Sequence, residues 1–305
     1  MNDSHKSTKK GIVFSNWFKL LVFALVLISL FFQLKNVKWN DTKGLEIKYL
    51  WALLLSVFLL SVNLGFEFLK WKFITNPLRI ESKFVKNSFW AGIASGFMSP
   101  NGWGNFLGRV IYFQRRDKIY IIFATALANL SQLIPTLIFG FIAMFSYTTT
   151  DTRGNWGYIV IATLLIVSLY FFADGIIPSK KSKHKLIRQL QFIRGRYNQL
   201  KLVLLFYSTL RFLVFSLQYV LLFVCFGYTD FWFLLNGVWM IYLLTSFVPS
   251  LWSGKVLIRE TAALFVFQNS MVTVPDILLA SILIYMINIA LPAFMSSFIW
   301  LPKKS

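Results

Sequence analysis

Apolar positions in this chain form runs too continuous for amphipathic surface helices, and polar positions gather in the short segments between them. About 20 apolar residues at 1.5 Å each cross a hydrocarbon core about 30 Å thick. Six runs approach or exceed that length: Phe14–Leu34, Tyr49–Leu69, Ile119–Tyr147, Trp156–Ala173, Leu202–Phe226 and Ile277–Trp300. Each predicts a full transmembrane helix. Two further apolar stretches, Val85–Phe113 and Phe231–Gln268, are broken by the polar segments SPNGWGNFLGR and VPSLWSGKVLIRE. Backbone freed by Pro and Gly cannot face lipid and has to line a polar cavity or be buried in protein. These stretches therefore predict broken, re-entrant helical hairpins. The predicted fold class is an all-α polytopic membrane protein of about six full transmembrane helices and two hairpins, in one membrane domain spanning residues 1–305.

Composition strengthens that reading. Hydrophobic residues make up 57% of the 305 and charged residues 14%, against about a quarter charged in soluble domains. The 31 Lys plus Arg exceed the 11 Asp plus Glu, giving +20, a surplus that fits cytoplasmic loops obeying the positive-inside rule and calls for no nucleic-acid partner. The single cysteine, Cys225, lies inside an apolar run, so neither a disulfide nor a cysteine-based metal site is expected. The basic stretch MNDSHKSTKK precedes Phe14–Leu34 without a small-residue cleavage site, which predicts a cytoplasmic tail (1–13) and a retained first span.

The densest run of basic residues, Lys180 to Lys201, places the 174–201 segment on the cytoplasmic side. The N-tail, the Lys70–Lys86 loop, the Arg109–Lys118 segment and the Lys303–Lys304 tail then fall on that side too, if each hairpin enters and leaves by the same face. Lys35, Lys38, Lys43, Lys48 and Arg153 become external; Lys19, Arg211, Lys255 and Arg259 stand at membrane depth. The expected location is the cytoplasmic (inner) membrane, multi-pass, with both termini cytoplasmic.

The two broken segments share a pattern. Pro100, Trp103, Gly104 and Arg109 answer to Pro249, Trp252, Gly254 and Arg259, and each motif is flanked by one full span on either side. Residues 49–147 and 202–300 thus form two units, and the charge-derived topology starts the first outside and the second inside. That is an inverted repeat, the plan of transporters whose broken helices meet near the midplane. Helices restarting near Asn105 and Lys255 would aim unpaired N–H groups at the breaks.

The candidate binding residues are Asn101, Trp103, Arg109, Arg211, Trp252, Lys255, Arg259 and Glu260, with Pro100, Gly102, Gly104, Pro249 and Gly254 breaking the helices. Arg211 lies deep in its span, where a charge costs about 2.5–3.5 kcal/mol on insertion scales unless compensated; it faces a cavity or pairs with Glu67 or Glu260. Glu67, beside Lys70 and Lys72, reads as a helix-end charge. Arg259 and Glu260 are adjacent and point to different sides of a helix. Trp103 and Trp252 also suit plain packing or the interfacial belt, and Pro135 and Pro292 suit kinks. His5 and His184 have no Cys, Asp or Glu at metal-ligand spacing, so no metal is expected. There is no Walker A loop, carboxylate pair or Ser–His–Asp set inside the membrane, so neither an enzymatic activity nor a cofactor is expected.

The segment PSLWSGKVLIRETAALFVF resembles the Pro…Gly-Gly-x-Gly-x-x-Glu segment of the membrane domain of lysylphosphatidylglycerol synthase-like proteins, and SPNGWGNFLGR is similar to that family's Pro…Gly-Glu-x-x-Arg segment. Pro249 and Glu260 fit the pattern; Asn105 stands in place of Glu, Arg109 comes one position late, and Lys255 and Leu257 replace glycines. The resemblance runs from about Trp17 to Trp300 and implies a flippase-like module that moves lipid-linked charged headgroups. With only LPKKS after Trp300, no cytosolic aminoacyl-transferase domain is expected. Sequence and resemblance together predict lipid transport: an anionic or modified lipid headgroup bound and translocated in a central cationic cavity, with membrane lipids as partners. The alternatives are a transporter of a soluble anion, or a non-transporting partner that recruits a glycosyl- or aminoacyl-transferase through the 180–201 basic loop.

Overall fold

A computed structural model describes residues 46–97, 99, 104–114, 117–147, 157–172, 185–247, 254–268 and 270–299. The described residues form helices and no strands: α1 (Leu50–Thr75), α2 (Ser82–Phe97), α3 (Gly104–Val110), α4 (Lys118–Tyr147), α5 (Gly157–Phe172), α6 (Lys185–Cys225), α7 (Phe231–Phe247), α8 (Gly254–Phe267), α9 (Val274–Tyr285) and α10 (Leu291–Ile299). A π-helical turn, Met286–Ala290, joins α9 to α10 without a break. Among the described residues, four helices are long and apolar enough to cross a membrane: Leu50–Leu78, Lys118–Met144, Tyr197–Cys225 and Val274–Phe298. The expected span Phe14–Leu34 lies outside the described residues. The expected span Trp156–Ala173 contains α5, whose 16 residues reach about 24 Å.

Helix boundaries depart from the sequence reading in two places. The helix expected to stop at Leu69 continues to Thr75, because Trp71 turns inward and donates its indole N–H to the Val85 carbonyl and to Ser88 Oγ. Residues 185–201 of the basic segment are helical and continuous with α6; they contain no proline, and long straight-chain residues lose little rotamer freedom in a helix. Helix α6 ends in a Schellman motif. Gly227, at φ 100°, occupies the left-handed position, while its N–H and that of Tyr228 bond the carbonyls of Val224 and Phe223.

Both predicted breaks have a helix on either side. In the first half α2 ends at Phe97 and α3 starts at Gly104; in the second α7 ends at Phe247 and α8 starts at Gly254. The legs of the first hairpin meet through small residues, as close helix contacts in lipid require. A Cβ on Gly108 would overlap Ser95 Oγ and the Ala91 carbonyl oxygen, and one on Gly104 would overlap the Ser95 carbonyl. Gly108→Val is therefore expected to push the legs apart, at the roughly 1–3 kcal/mol typical of overpacking. Thermal unfolding in detergent checks this against Gly65→Ala, where nothing lies within 4 Å of the added carbon. Equal midpoints for the two variants would rule out this packing.

The long helices cross-connect the two halves. Helix α1 packs on α6, and α4 packs on both α6 and α7; the first leg of each hairpin lies against the last long helix of the other half, α2 on α10 and α7 on α4. Large apolar side chains remain exposed on the outside, including Leu54, Phe58, Leu164, Leu165 and Phe172, as suits lipid-facing surfaces.

The apolar interior is divided in two. One core takes Ala52 and Leu60 of α1, Leu137 and Ala143 of α4 and Phe212, Tyr219 and Phe223 of α6. The other takes Trp71 and Ile74 of α1, Tyr120 to Ile134 of α4 and Tyr197 to Leu204 of α6. Where these cores meet, each helix carries polar residues: Asn63, Glu67 and Lys70 on α1, Gln132 and Thr136 on α4, Ser208 and Arg211 on α6. A polar layer thus crosses the bundle where the spans are halfway through.

Candidate functional site

Glu67 is the hub of that layer. Its Oε1 accepts from Arg109 Nη2 at 2.9 Å, and its Oε2 accepts from Arg211 Nη1 at 2.5 Å and Lys70 Nζ at 2.8 Å. Lys70 and Arg109 are each 2% exposed. Arg211 also donates from Nε to Asn63 Oδ1 at 2.8 Å and from Nη1 to Gln132 Oε1 at 2.9 Å. Asn63 in turn donates from Nδ2 to Asn288 Oδ1 at 2.8 Å. Lys70 Nζ stands 3.4 Å from both Gln132 Oε1 and Ser208 Oγ. Aromatic faces complete the cradle, with the Arg109 guanidinium 4.4 Å from the Trp71 ring centre and that of Arg211 5.0 Å from Phe215.

Three cations against one carboxylate leave a formal charge of +2. Removal from water costs several kcal/mol per ion and is recovered only by close partners and satisfied hydrogen bonds. Here one carboxylate serves all three cations, so the network is tightly tied yet still in excess of positive charge.

The network borders a cavity of about 1020 Å³. Glu67, Lys70, Gln132 and Arg211 form one side; Gly96, Phe97 and Asn105 flank the first break, and Phe247, Ile258 and Arg259 flank the second. Both hairpins and both halves therefore contribute to one chamber. Arg259 raises its formal charge to +3. Among the described residues Arg259 has no hydrogen-bond or ion-pair partner; its guanidinium carbon lies 5.7 Å from the Tyr242 ring centre, and its Nε is buried and unbonded, as are Arg109 Nε, Asn288 Nδ2 and Asn105 Oδ1. Asn288 sits within the π-helical turn four residues before Pro292. Proline lacks the N–H that would bond the Asn288 carbonyl in a regular helix, and such turns recur at functional sites.

Of the residues singled out from sequence, Arg109, Arg211 and Arg259 share this cavity. Glu260 does not line it, and its Oε1 is buried without a partner. Gly104 and Gly254 open α3 and α8, and Lys255 belongs to the first turn of α8. Pro100, Asn101, Gly102, Trp103, Pro249 and Trp252 lie outside the described residues. Two assignments need correction: Glu67 is no helix-end charge, and Lys70 is no loop lysine, because α1 continues past them and turns both inward. Asn63, Gln132 and Asn288 are not among the sequence candidates, although isolated amide side chains inside apolar spans signal interior polar contact.

Comparison of the chain with protein-family models, with curated proteins and with solved structures gives no match in any of the three. Fold and site define its class, an all-α membrane protein with a cationic cavity among its helices.

Proposed function

We propose that this chain is a flippase-like membrane protein that holds an anionic or modified lipid headgroup in the chamber and carries it across the bilayer. The observation that carries the reading is a chamber with a formal charge of +3, halfway along four membrane-length helices. Its walls also include Leu64, Phe97, Phe215, Phe247 and Ile289, a mixture suited to a ligand with a charged head and an apolar tail.

An inverted repeat gives the chamber its alternating access in this proposal. Two features support it: exchange of the halves maps the α2 and α10 contact onto that of α7 and α4, and Arg109 and Arg259 each follow a helix-opening glycine by five residues. Rocking of one half against the other would expose the chamber to each surface in turn. The short motifs shared with lysylphosphatidylglycerol synthase membrane domains are consistent with such a role.

Reconstitution in proteoliposomes with a fluorescent phosphatidylglycerol tests the function. Translocation is expected above that of empty vesicles, with Arg211→Ala and Arg259→Ala each slowing it about tenfold or more, as loss of one charge-assisted hydrogen bond implies. Translocation at the empty-vesicle rate, or unchanged in both variants, would contradict the assignment.

A further inference from the structure

We infer that the headgroup accepted here is a phosphate ester without a cationic substituent, seated at Arg259. The inference rests on the reading of the chamber as a lipid-headgroup site and narrows the substrate class. A headgroup bearing an amine, such as an aminoacylated phosphatidylglycerol, needs an acceptor for its ammonium as well as donors for its phosphate. Among the described residues, Glu67 is the only carboxylate on the cavity wall, and its two oxygens already receive Lys70, Arg109 and Arg211. Residues 98–103 and 248–253, which join the legs of the two hairpins, contain no Asp or Glu. An ammonium in the chamber would face four formal cations and one carboxylate that three of them neutralise, and like charges at close range in a desolvated site repel strongly.

The same inventory gives the phosphate its place. Lys70, Arg109 and Arg211 are engaged by Glu67, whereas Arg259 has no acceptor among the described residues. The counterpart of Arg259 in the first hairpin, Arg109, shows what such an arginine takes: a carboxylate from the neighbouring span, bonded at 2.9 Å. The open position at Arg259 suits an exogenous oxyanion, with Asn288 Nδ2 as a further unbonded donor on the same chamber. Phe247 and Ile258 line the same cavity and offer apolar surface to the first carbons of an attached chain.

Native mass spectrometry of the full chain in mild detergent tests this, with phosphatidylglycerol, its lysyl ester and glycerol 3-phosphate offered in equal amounts. Phosphatidylglycerol is expected to be retained at least about tenfold over the lysyl ester, and Arg259→Gln to reduce that retention about tenfold, with Arg259→Lys retaining part of it. Equal or greater retention of the lysyl ester overturns the inference and leaves the lipid-headgroup reading standing, and so does unchanged phosphatidylglycerol retention in a folded Arg259→Gln variant. Retention of glycerol 3-phosphate with neither lipid overturns the lipid reading instead. Retention of none of the three overturns both.

Discussion

Glu67→Gln is expected to destabilise the protein more than any other single substitution in the polar layer. The side chain keeps its shape and loses its charge, so Lys70, Arg109 and Arg211 remain at membrane depth with no carboxylate between them. Removing one partner of a buried ion pair costs about 3–5 kcal/mol because the other charge is left uncompensated, and here three are left. The expected outcome is a folded yield near zero, or a midpoint many degrees below the wild type, in fluorescence-detected size exclusion after heating. Adding Arg109→Met to Glu67→Gln is expected to restore part of the loss, since it withdraws one of the stranded cations. A Glu67→Gln protein as stable as the wild type would show that the carboxylate does not hold the layer together.

Arg211→Met is expected to separate fold from function. Glu67 keeps Lys70 and Arg109, so no charge is left without a partner, and the methionine fills much of the guanidinium's volume. The cost is the hydrogen bonds to Asn63 and Gln132, about 1–3 kcal/mol for acceptors left partly unsatisfied, and Lys70 Nζ remains 3.4 Å from Gln132 to soften it. The chamber meanwhile drops from +3 to +2 beside the ligand, so translocation of an anionic headgroup is expected to fall by about tenfold or more in protein that still folds. Parallel midpoint and translocation measurements check the separation. Loss of both together would make Arg211 a structural residue alone.

The parts of this fold written in local hydrophobicity were readable from sequence. The long helices around Leu60, Leu137, Phe212 and Ile284 announce themselves because 20 apolar residues in a row have few other uses. The helix breaks were equally readable, since Pro and Gly inside an apolar stretch act locally. The hub was not. Glu67 and Lys70 sit next to Lys72, and a cluster of charges after an apolar run ordinarily marks the end of a span. Nothing local tells Lys70 from Lys72; the difference is made by Ser208 and Gln132, contributed by helices far away in sequence. Arg211 was recognisable by its depth, while its partner depended on which face of α1 meets α6. The close packing at Gly108 shows the same division: SPNGWGNFLGR reads as a break, but its last glycine serves contact between the two legs.

Water access to the chamber and the sign of its field are the heart of this account, and thiol modification reads both. In a Cys225→Ala background, single cysteines at Thr136 and Ser246 on the cavity wall, and at lipid-facing Leu165, are exposed to anionic and cationic methanethiosulfonates in intact proteoliposomes. The account predicts modification at positions 136 and 246, faster with the anionic reagent, and none at position 165. No modification at 136 and 246, or a faster reaction with the cationic reagent, would contradict a water-filled, positively charged chamber in the middle of this membrane protein.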